Sequence, residues 1–323
     1  MSPSAPTITA VIPAYNSAEF LGEAIDSILR QSVLVSEIIV VDDGSVDDTA
    51  SVARRYDVTL IQQSNAGPSA ARNRGIEHAQ GELIAFLDAD DQWTCSKLTD
   101  QLTTLNRYPE LALVASDMAE TNRDGAITTE SMLKKHALHE KFRDLDGAPL
   151  PKAMTALLEK NFIPTGTVLA RRAVLRDVGA FNPSFHFAED LELWTKVAAK
   201  HPITCLAKVH MLRRQHESNA TRSDLPMLEG LLEVMGAIRD WGDTALRAEG
   251  QDPNALVAAS AANLGYWHFT HGDMAQAEKY FSQSLREKMT TRGLAYWLAS
   301  QLPATLVERI RGAKQQLTSR DKR

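Results

Sequence analysis

Over its first ninety residues the chain alternates short apolar runs with helical patterns, and this alternation restricts its fold more than any other feature. The runs are TITAVIP, EIIVVDD, VTLIQQ and ELIAFLD; between them stand SAEFLGEAIDSILRQ, VDDTASVARRY and PSAARNRGIEHA. The order reads βαβαβαβ. Runs such as EIIVV are apolar on both faces, as strands must be when helices cover both sides of a parallel sheet. In the first helical segment Phe20, Leu21, Ala24, Ile25, Ile28 and Leu29 make one apolar stripe, and Asn16 and Glu19 have the spacing of a capping box. The expected fold class is α/β with a mainly parallel central sheet.

Open sheets of this kind bind ligands in the crevice beyond the carboxyl ends of their strands. The polar residues of the segment collect there. PAYN follows the first strand, DDGSVDD the second, SNAGPSAARNRG the third and DADD the fourth. Together they deliver Tyr15, Asp42, Asp43, Arg72, Asn73, Asp88 and Asp90 to one rim. In AFLDADDQW the carboxylates of Asp88, Asp90 and Asp91 crowd within four positions. One acid would serve a turn or a helix cap. Three add repulsion that a bound divalent cation would relieve.

Farther along, LALVASDM reads as another strand, and residues 119–160 as a long loop with short helices on the acceptor side. TGTVLARRAVLRDVGAF reads as a strand and a helix, and AEDLELWTKVAAK as a helix with Leu191, Trp194, Val197 and Ala198 on one face. Glu189 and Asp190 open that helix, where the macrodipole favours negative charge, so capping alone would also place them there. From about residue 224 the pattern is wholly helical, in LPMLEGLLEVMGAIRDW, NALVAASAANLGYWHFTHG and DMAQAEKYFSQSLREK. LGYWHFTHGDMAQAEKYFSQSL is similar to a tetratricopeptide-type helix pair; one such pair leaves a face uncovered, so packing on the preceding domain or on a partner is expected. A length of 323 residues suits two domains, 1–220 and 221–323.

Composition narrows the function classes. With 44% hydrophobic and 24% charged residues and a formal net charge of -6, the chain offers no bulk positive charge for a nucleic acid. Phosphate must be bound by a site. The two cysteines, Cys95 and Cys205, lack a paired spacing, which argues against a disulfide framework or a zinc site and favours a reducing, cytoplasmic setting. MSPSAPTITAVIPAYN has no basic region before a long apolar run, so no secretory signal is expected, nor does any stretch reach the length of a membrane span. Near the C-terminus Trp297, Leu298, Leu302, Leu306 and Ile310 stand among basic residues. That pattern fits an interfacial helix in peripheral membrane contact, or a helix packed against a neighbour.

Four ordered segments, VIPAYNSAEFLGEAIDSILRQ, EIIVVDDGSVDDT, NAGPSAARNRGIEHAQGELIAFLDADD and FHFAEDLELWTKVA, together resemble the family 2 glycosyltransferases, inverting enzymes of the GT-A fold. The match spans about residues 7–217. The resemblance implies a GT-A (nucleotide-diphospho-sugar transferase) fold, with the helical C-terminal region as an extension. It further implies that Pro13, Tyr15, Glu19 and Asp42 hold the nucleoside, although Asp42 or Asp43 would also close a turn with Gly44 and Ser45. Arg72 and Asn73 match the AARN stretch near the diphosphate or ribose, and one of them would alternatively tie its helix to the acidic loop. By the same resemblance DAD is the family's DXD motif, with Asp88 on the ribose or the metal-bound diphosphate and Asp90 on Mg2+ or Mn2+. Asp91 is then a supporting residue or a cap for the helix beginning near Cys95, the cap being preferred.

In the ED pair the resemblance makes Asp190 the general base and puts Glu189 on the acceptor side. VHMLRRQHESNATR resembles the segment after the family's last core strand, which makes His216 a candidate metal or phosphate contact, ahead of His210. Arg74 is expected at the surface. The QXXRW motif of processive members is absent from the sequence. The implied activity is non-processive transfer from a nucleotide-sugar, a UDP-sugar by family frequency, to a glycan or lipid-linked acceptor, in a surface polysaccharide or glycolipid pathway. Two other readings stand beside it. A sugar nucleotidyltransferase would carry a basic, Gly-rich loop after the first strand, and PAYNSAEFLG has no basic residue. A nucleotide-sugar-binding scaffold without turnover would have no need of the full set Asp42, Asp88, Asp90 and Asp190.

Overall fold

The structure, a computed structural model, describes residues 6–217 and 224–301. The chain divides into two compact units, Met1–Ala220 and Thr221–Arg323. In the first unit the chain runs through β1 (Ile8–Ala14), α1 (Leu21–Leu29), β2 (Glu37–Asp42), α2 (Thr49–Ala53), β3 (Thr59–Gln62), α3 (Pro68–His78) and β4 (Leu83–Phe86). Next come β5 (Gln92–Trp93), α4 (Lys97–Arg107), β6 (Leu113–Thr121), β7 (Ile127–Thr129), α5 (Met132–Lys135), α6 (His139–Leu145) and α7 (Ala153–Glu159). A 3-10 turn at Thr165–Thr167, β8 (Leu169–Arg171), α8 (Arg172–Asp177), α9 (Glu189–Lys200) and β9 (Ile203–Arg214) complete it.

These strands form one nine-stranded sheet in the order β3-β2-β1-β4-β8-β6-β9-β5, with β7 added to β6. β1 pairs in parallel with β2 and β4, β2 with β3, and β6 with β9. β8 runs antiparallel to β4 and β6, and β5 and β7 oppose their partners. The chain thus has the mainly parallel α/β sheet expected of it. Every residue of β1, β4 and β6 is buried, as two-sided burial requires, whereas edge strand β3 is half-exposed. Helix α3 lies so close on the sheet that a Cβ at Gly75 would stand 2.3 Å from Val11 Cγ1, which is why this helix carries glycine there.

Several local expectations are corrected. The capping box at Asn16 and Glu19 does not form: α1 starts at Leu21, and the Asn16 carboxamide oxygen accepts the Val46 N–H at 2.9 Å. Asn16 has φ +47°, turning the chain toward the second loop instead of into a helix. Asp91 caps no helix, because α4 begins six residues later. The short helices expected within the loop over residues 119–160 are present as α5, α6 and α7, but the start of that stretch is strand and not loop: β6 continues to Thr121 and pairs with β7. VHMLRR, expected beyond the last core strand, is the end of the twelve-residue β9, paired in parallel with β6.

In the second unit α10 (Asp224–Ala248), α11 (Pro253–Thr270), α12 (Met274–Glu287) and α13 (Thr291–Ser300) pack each on the next. Asp252, Asp273 and Thr290 cap the last three, their side chains accepting from Asn254, Gln276 and Gly293 N–H groups. The α11–α12 pair covers Phe269 and Phe281, and Tyr296 of α13 stacks on Phe281 at 5.5 Å. Cover for the tetratricopeptide-like pair therefore comes from α10 and α13 inside its own unit. Trp297 donates to Ser282 Oγ at 2.9 Å and Leu298 is exposed, while Leu302, Leu306 and Ile310 lie outside the described residues. Among the described residues no helix is long and apolar enough to cross a membrane.

Candidate active site

The loops at the carboxyl ends of β1 and β2 are stitched together before any ligand is considered. Asn16 N–H donates to Ser45 Oγ at 2.9 Å, Ser17 N–H to Thr49 Oγ1 at 2.8 Å, and Ala18 N–H to Asp47 Oδ2 at 3.0 Å. Asp42, almost wholly buried, accepts the Ser45 N–H at 2.9 Å and the Gln62 amide at 3.0 Å. It is thus Asp42 that closes onto Ser45. Asp43 instead binds the third loop, accepting from Gln63 Nε2, Ala66 N and Gly67 N at 2.8–2.9 Å. Gly44 is required between them: its φ is +79°, and a Cβ there would meet Asn65 N at 2.9 Å. Pro13 is buried inside β1, whereas Tyr15 is half-exposed on the rim. Glu19 is ion-paired with Arg123 at 2.7 Å beside a cavity of about 430 Å³ that Phe20, Glu23 and Arg214 also line.

Arg72 organises the centre. Its guanidinium is buried, donating to Asp88 Oδ1 at 2.8 Å and to Glu189 Oε1 at 3.1 Å, and it lies over the Phe181 ring at 5.3 Å. Burial alone would lower its pKa; the Asp88 and Glu189 carboxylates overcome that and hold it above the ordinary value. Arg72 therefore ties the third-loop helix both to the acidic loop and to the start of α9. Asn73, expected near the nucleotide, is turned to the protein: its amide donates to Phe181 O at 2.7 Å and accepts from Phe181 N at 2.9 Å. The Phe181 ring packs edge-on against Phe86 and Trp194, with centroids 5.6 and 5.7 Å away, and so locks β4 and α9 together. Arg74 is half-exposed, as expected.

Behind Asp88 the acids are set in pairs. Asp90 Oδ2 is 2.9 Å from His216 Nε2, and that imidazole stacks on Phe20 at 5.0 Å. Burial, with the Asp88 charge second, pushes the Asp90 carboxyl up against the opposing His216 hydrogen bond. Asp91 is buried and accepts the Arg214 N–H at 2.9 Å; burial and its two acidic neighbours drive its carboxyl well above the ordinary range. The loop is thus pinned to the end of β9, a contact across 123 residues. His210 belongs elsewhere, with Nε2 2.9 Å from Asp100 Oδ2.

Glu189 and Asp190 open α9, after Ala188 in the left-handed region at φ +57°. Asp190 Oδ1 accepts the Leu191 N–H at 2.6 Å, and the Asn161 amide lies 3.3 and 3.2 Å from its two oxygens. Burial and the neighbouring Glu189 charge push its carboxyl up to about 7. Glu189, expected on the acceptor side, faces Arg72. Asn161 escaped the sequence reading, since NFIP carries no pattern that marks it.

Among the described residues no three Asp, Glu, His or Cys side chains form a ready-made cation cage. A hard cation of the Mg2+ or Mn2+ type does not need one: it is held by one or two carboxylates, with water and diphosphate oxygens completing its shell. Asp88, a third exposed, and Asp90 beside it are of the right chemistry for such a site.

Residues 9–178 match the model of glycosyl transferase family 2. An uncharacterized glycosyltransferase of Rickettsia typhi is 29% identical over 231 residues, 69% of this chain and 69% of that one. The uncharacterized glycosyltransferase YibD of Escherichia coli is 36% identical over 122 residues, covering 36% of this chain and 34% of its own. Among solved structures, S. aureus TarS 1-349 has a TM-score of 0.66 at 18% identity, covering 95% of this chain and 92% of that one. Its complex with UDP-GlcNAc has a TM-score of 0.64 at 17% identity, over the same shares of the two chains. The fold is accordingly the GT-A fold, and with more than half of its length inside the family model, the chain belongs to glycosyltransferase family 2.

Proposed function

We propose that this glycosyltransferase moves one sugar from a nucleotide-diphospho-sugar to a hydroxyl of a glycan or lipid-linked acceptor, inverting the anomeric centre in a single displacement. The observation that carries the reading is the buried Arg72 bridge, which joins the acidic loop through Asp88 to the start of α9 through Glu189, next to Asp190. A donor-phosphate site and a base are thereby held in one fixed relation. Asp190 takes the proton of the acceptor hydroxyl as that oxygen bonds to the anomeric carbon and the bond to the diphosphate breaks. A carboxyl with its pKa near 7 is matched to that task at neutral pH. Tyr15, Glu19 and Asp42 are assigned to the nucleoside side of the crevice, together with Pro13, which is buried in β1.

Asp88 and Asp90, with His216 behind Asp90, would hold Mg2+ or Mn2+. When bound, that cation neutralises charge building on the departing nucleoside diphosphate. A UDP-sugar is the favoured donor, supported by the UDP-GlcNAc and UDP complexes of the structurally similar TarS. Glu189 acts through Arg72, a positioning role in place of direct acceptor contact. Unpaired Cys95 and Cys205 fit a reducing, cytoplasmic setting, and the acceptor is a precursor of a surface polysaccharide or glycolipid.

Isothermal titration calorimetry with UDP, GDP, dTDP and CDP, with and without Mn2+, tests the donor site. Native protein should bind UDP in a Mn2+-dependent way, and Asp90→Ala should lose that binding. Failure to bind any of the four, with metal present, would overturn the donor-site reading, whereas tight binding with no turnover would put the scaffold reading ahead.

A further inference from the structure

We propose that Asn161 is the positioning residue of Asp190, orienting its carboxylate and favouring the ionised form that accepts a proton; the inference rests on Asp190 being the base. The orientation of the Asn161 amide follows from its other partner. Its Oδ1 accepts the Ile163 N–H at 3.2 Å. A flipped amide would set NH2 against that N–H, so Nδ2 must face Asp190. There it lies 3.3 Å from Oδ1 and 3.2 Å from Oδ2. Oδ1 also receives the Leu191 N–H, so among the described residues the Asn161 amide is the sole donor to Oδ2. Oδ2 is thus the oxygen left with capacity to take a proton, and Asn161 determines where it points.

The segment bearing Asn161 is fixed from beneath. Phe162 and Ile163 are buried, and the following turn receives three hydrogen bonds: Trp93 Nε1 to Gly166 O at 2.8 Å, Gln101 Nε2 to Thr167 O at 2.8 Å, and Lys97 Nζ to Val168 O at 3.3 Å. Asn161 itself is exposed, so packing does not account for its amide. Three groups from three elements face the Asp190 carboxyl: Glu189 on its own helix, Arg72 on α3 and Asn161. Glu189 opposes ionisation of Asp190, whereas Arg72 and Asn161 favour it. Arg72 is already divided between Asp88 and Glu189, so of these three groups only Asn161 hydrogen-bonds Asp190 directly, beside the main-chain Leu191 N–H.

The test is a 13C NMR titration of the Asp190 carboxyl carbon, its resonance assigned by disappearance in Asp190→Asn. Asn161→Ala should move the midpoint upward by about one pH unit, a tenfold weaker acid, because a donor to the ionised form is lost. The isosteric Asn161→Asp should move it at least as far, since it adds a like charge, and it covers the case in which the alanine variant fails to fold. An unmoved midpoint in a folded variant would overturn the proposal. Release of UDP from UDP-GlcNAc by Asp190→Asn at the native rate would strike down the base and its positioning residue together. An inactive Asp190→Asn with an unmoved midpoint in the Asn161 variants would strike down the positioning role alone.

Discussion

Within residues 224–301 each helix packs on its neighbour in sequence, and each capping side chain binds a residue two or three positions away. Within residues 6–217 the decisive contacts cross the chain: Arg72 reaches Glu189 over 117 residues, Asn73 reaches Phe181 over 108, and Arg214 reaches Asp91 over 123. A helical stack assembled from near neighbours needs only matched apolar faces. A site that gathers like charges needs distant segments to supply counter-charges and donors, so its chemistry and its folding stability rest on the same atoms. Substitutions in the catalytic unit should therefore change both, and those in the helical unit mainly stability.

The largest effect is expected at Asp190. Asp190→Asn should lower kcat about 10³-fold, read as UDP release, while UDP affinity in calorimetry is retained. Its effect on stability should run the opposite way. The folded carboxyl titrates near 7 against an ordinary value of 3.8, so folding favours the protonated form. The stability this group supplies is complete below about pH 4 and is lost as pH rises through 7. In urea unfolding Asp190→Asn should therefore be more stable than native protein at pH 8, by up to about 4 kcal/mol, and indistinguishable from it near pH 4. In native protein, with Asp190 as the base, kcat/KM should fall with acidification below about pH 7. A substitution that lowered activity and left the pH dependence of stability unchanged would break the link between the two.

Next comes Arg72. Arg72→Met leaves Glu189 and Asp88 facing one another without their shared cation, and removing one partner of a buried pair should destabilise the fold by about 3 kcal/mol. Nucleotide binding should weaken at the same time, because the acidic loop loses its tie to α3. Arg72→Lys should recover little, since a single ammonium cannot reproduce a fork directed at two carboxylates. Urea unfolding and calorimetry on the same samples check both halves. Full stability with lost binding would mean that Arg72 acts on the ligand alone.

The same contrast in contact range determines what was legible before the fold was known. The strand runs TITAVIP, EIIVV and ELIAF and the carboxyl-end loops could be read because two-sided burial and turn chemistry leave local patterns. The helical unit could be read too, from periodicity and caps, including α10 and the α11–α12 pair, but not that α10 and α13 would cover that pair. β9 was hidden because its burial follows no period of two, with a block of buried residues followed by a half-exposed to exposed run and Lys208, Arg213 and Arg214 among its residues, and because it pairs with β6 some ninety positions earlier. Family motifs marked Arg72, Asn73 and Glu189 as site residues. That Arg72 sits between two acids, and that Asn73 grips the Phe181 main chain, depends on segments more than a hundred residues away in the case of Glu189 and Phe181. Asn161 was missed for the same reason: its partner Asp190 is 29 residues on, with no shared periodicity.

The smallest effects come from a pair of helical glycines, one in each unit, and they test the comparison most directly. Alanine is favoured over glycine in a helix interior by about 1 kcal/mol, so any loss on Gly→Ala measures the contact the new methyl makes. At Gly75 the added Cβ would stand 2.3 Å from Val11 Cγ1, on a strand in the middle of the sheet that cannot retreat. Helix α3 must move instead, carrying Arg72 and Asn73 with it. Gly75→Ala should therefore cost about 2 kcal/mol in urea unfolding and also weaken UDP binding. At Gly265 the Cβ would meet the Phe281 ring at 2.9 Å, and a ring edge can tilt away, so the propensity gain should offset most of the strain. Gly265→Ala should change stability by about 1 kcal/mol or less and leave UDP affinity as it is. Weakened UDP binding in Gly265→Ala would show that the helical unit reaches the donor site, and the division between a locally built support and a non-locally built site would have to be given up.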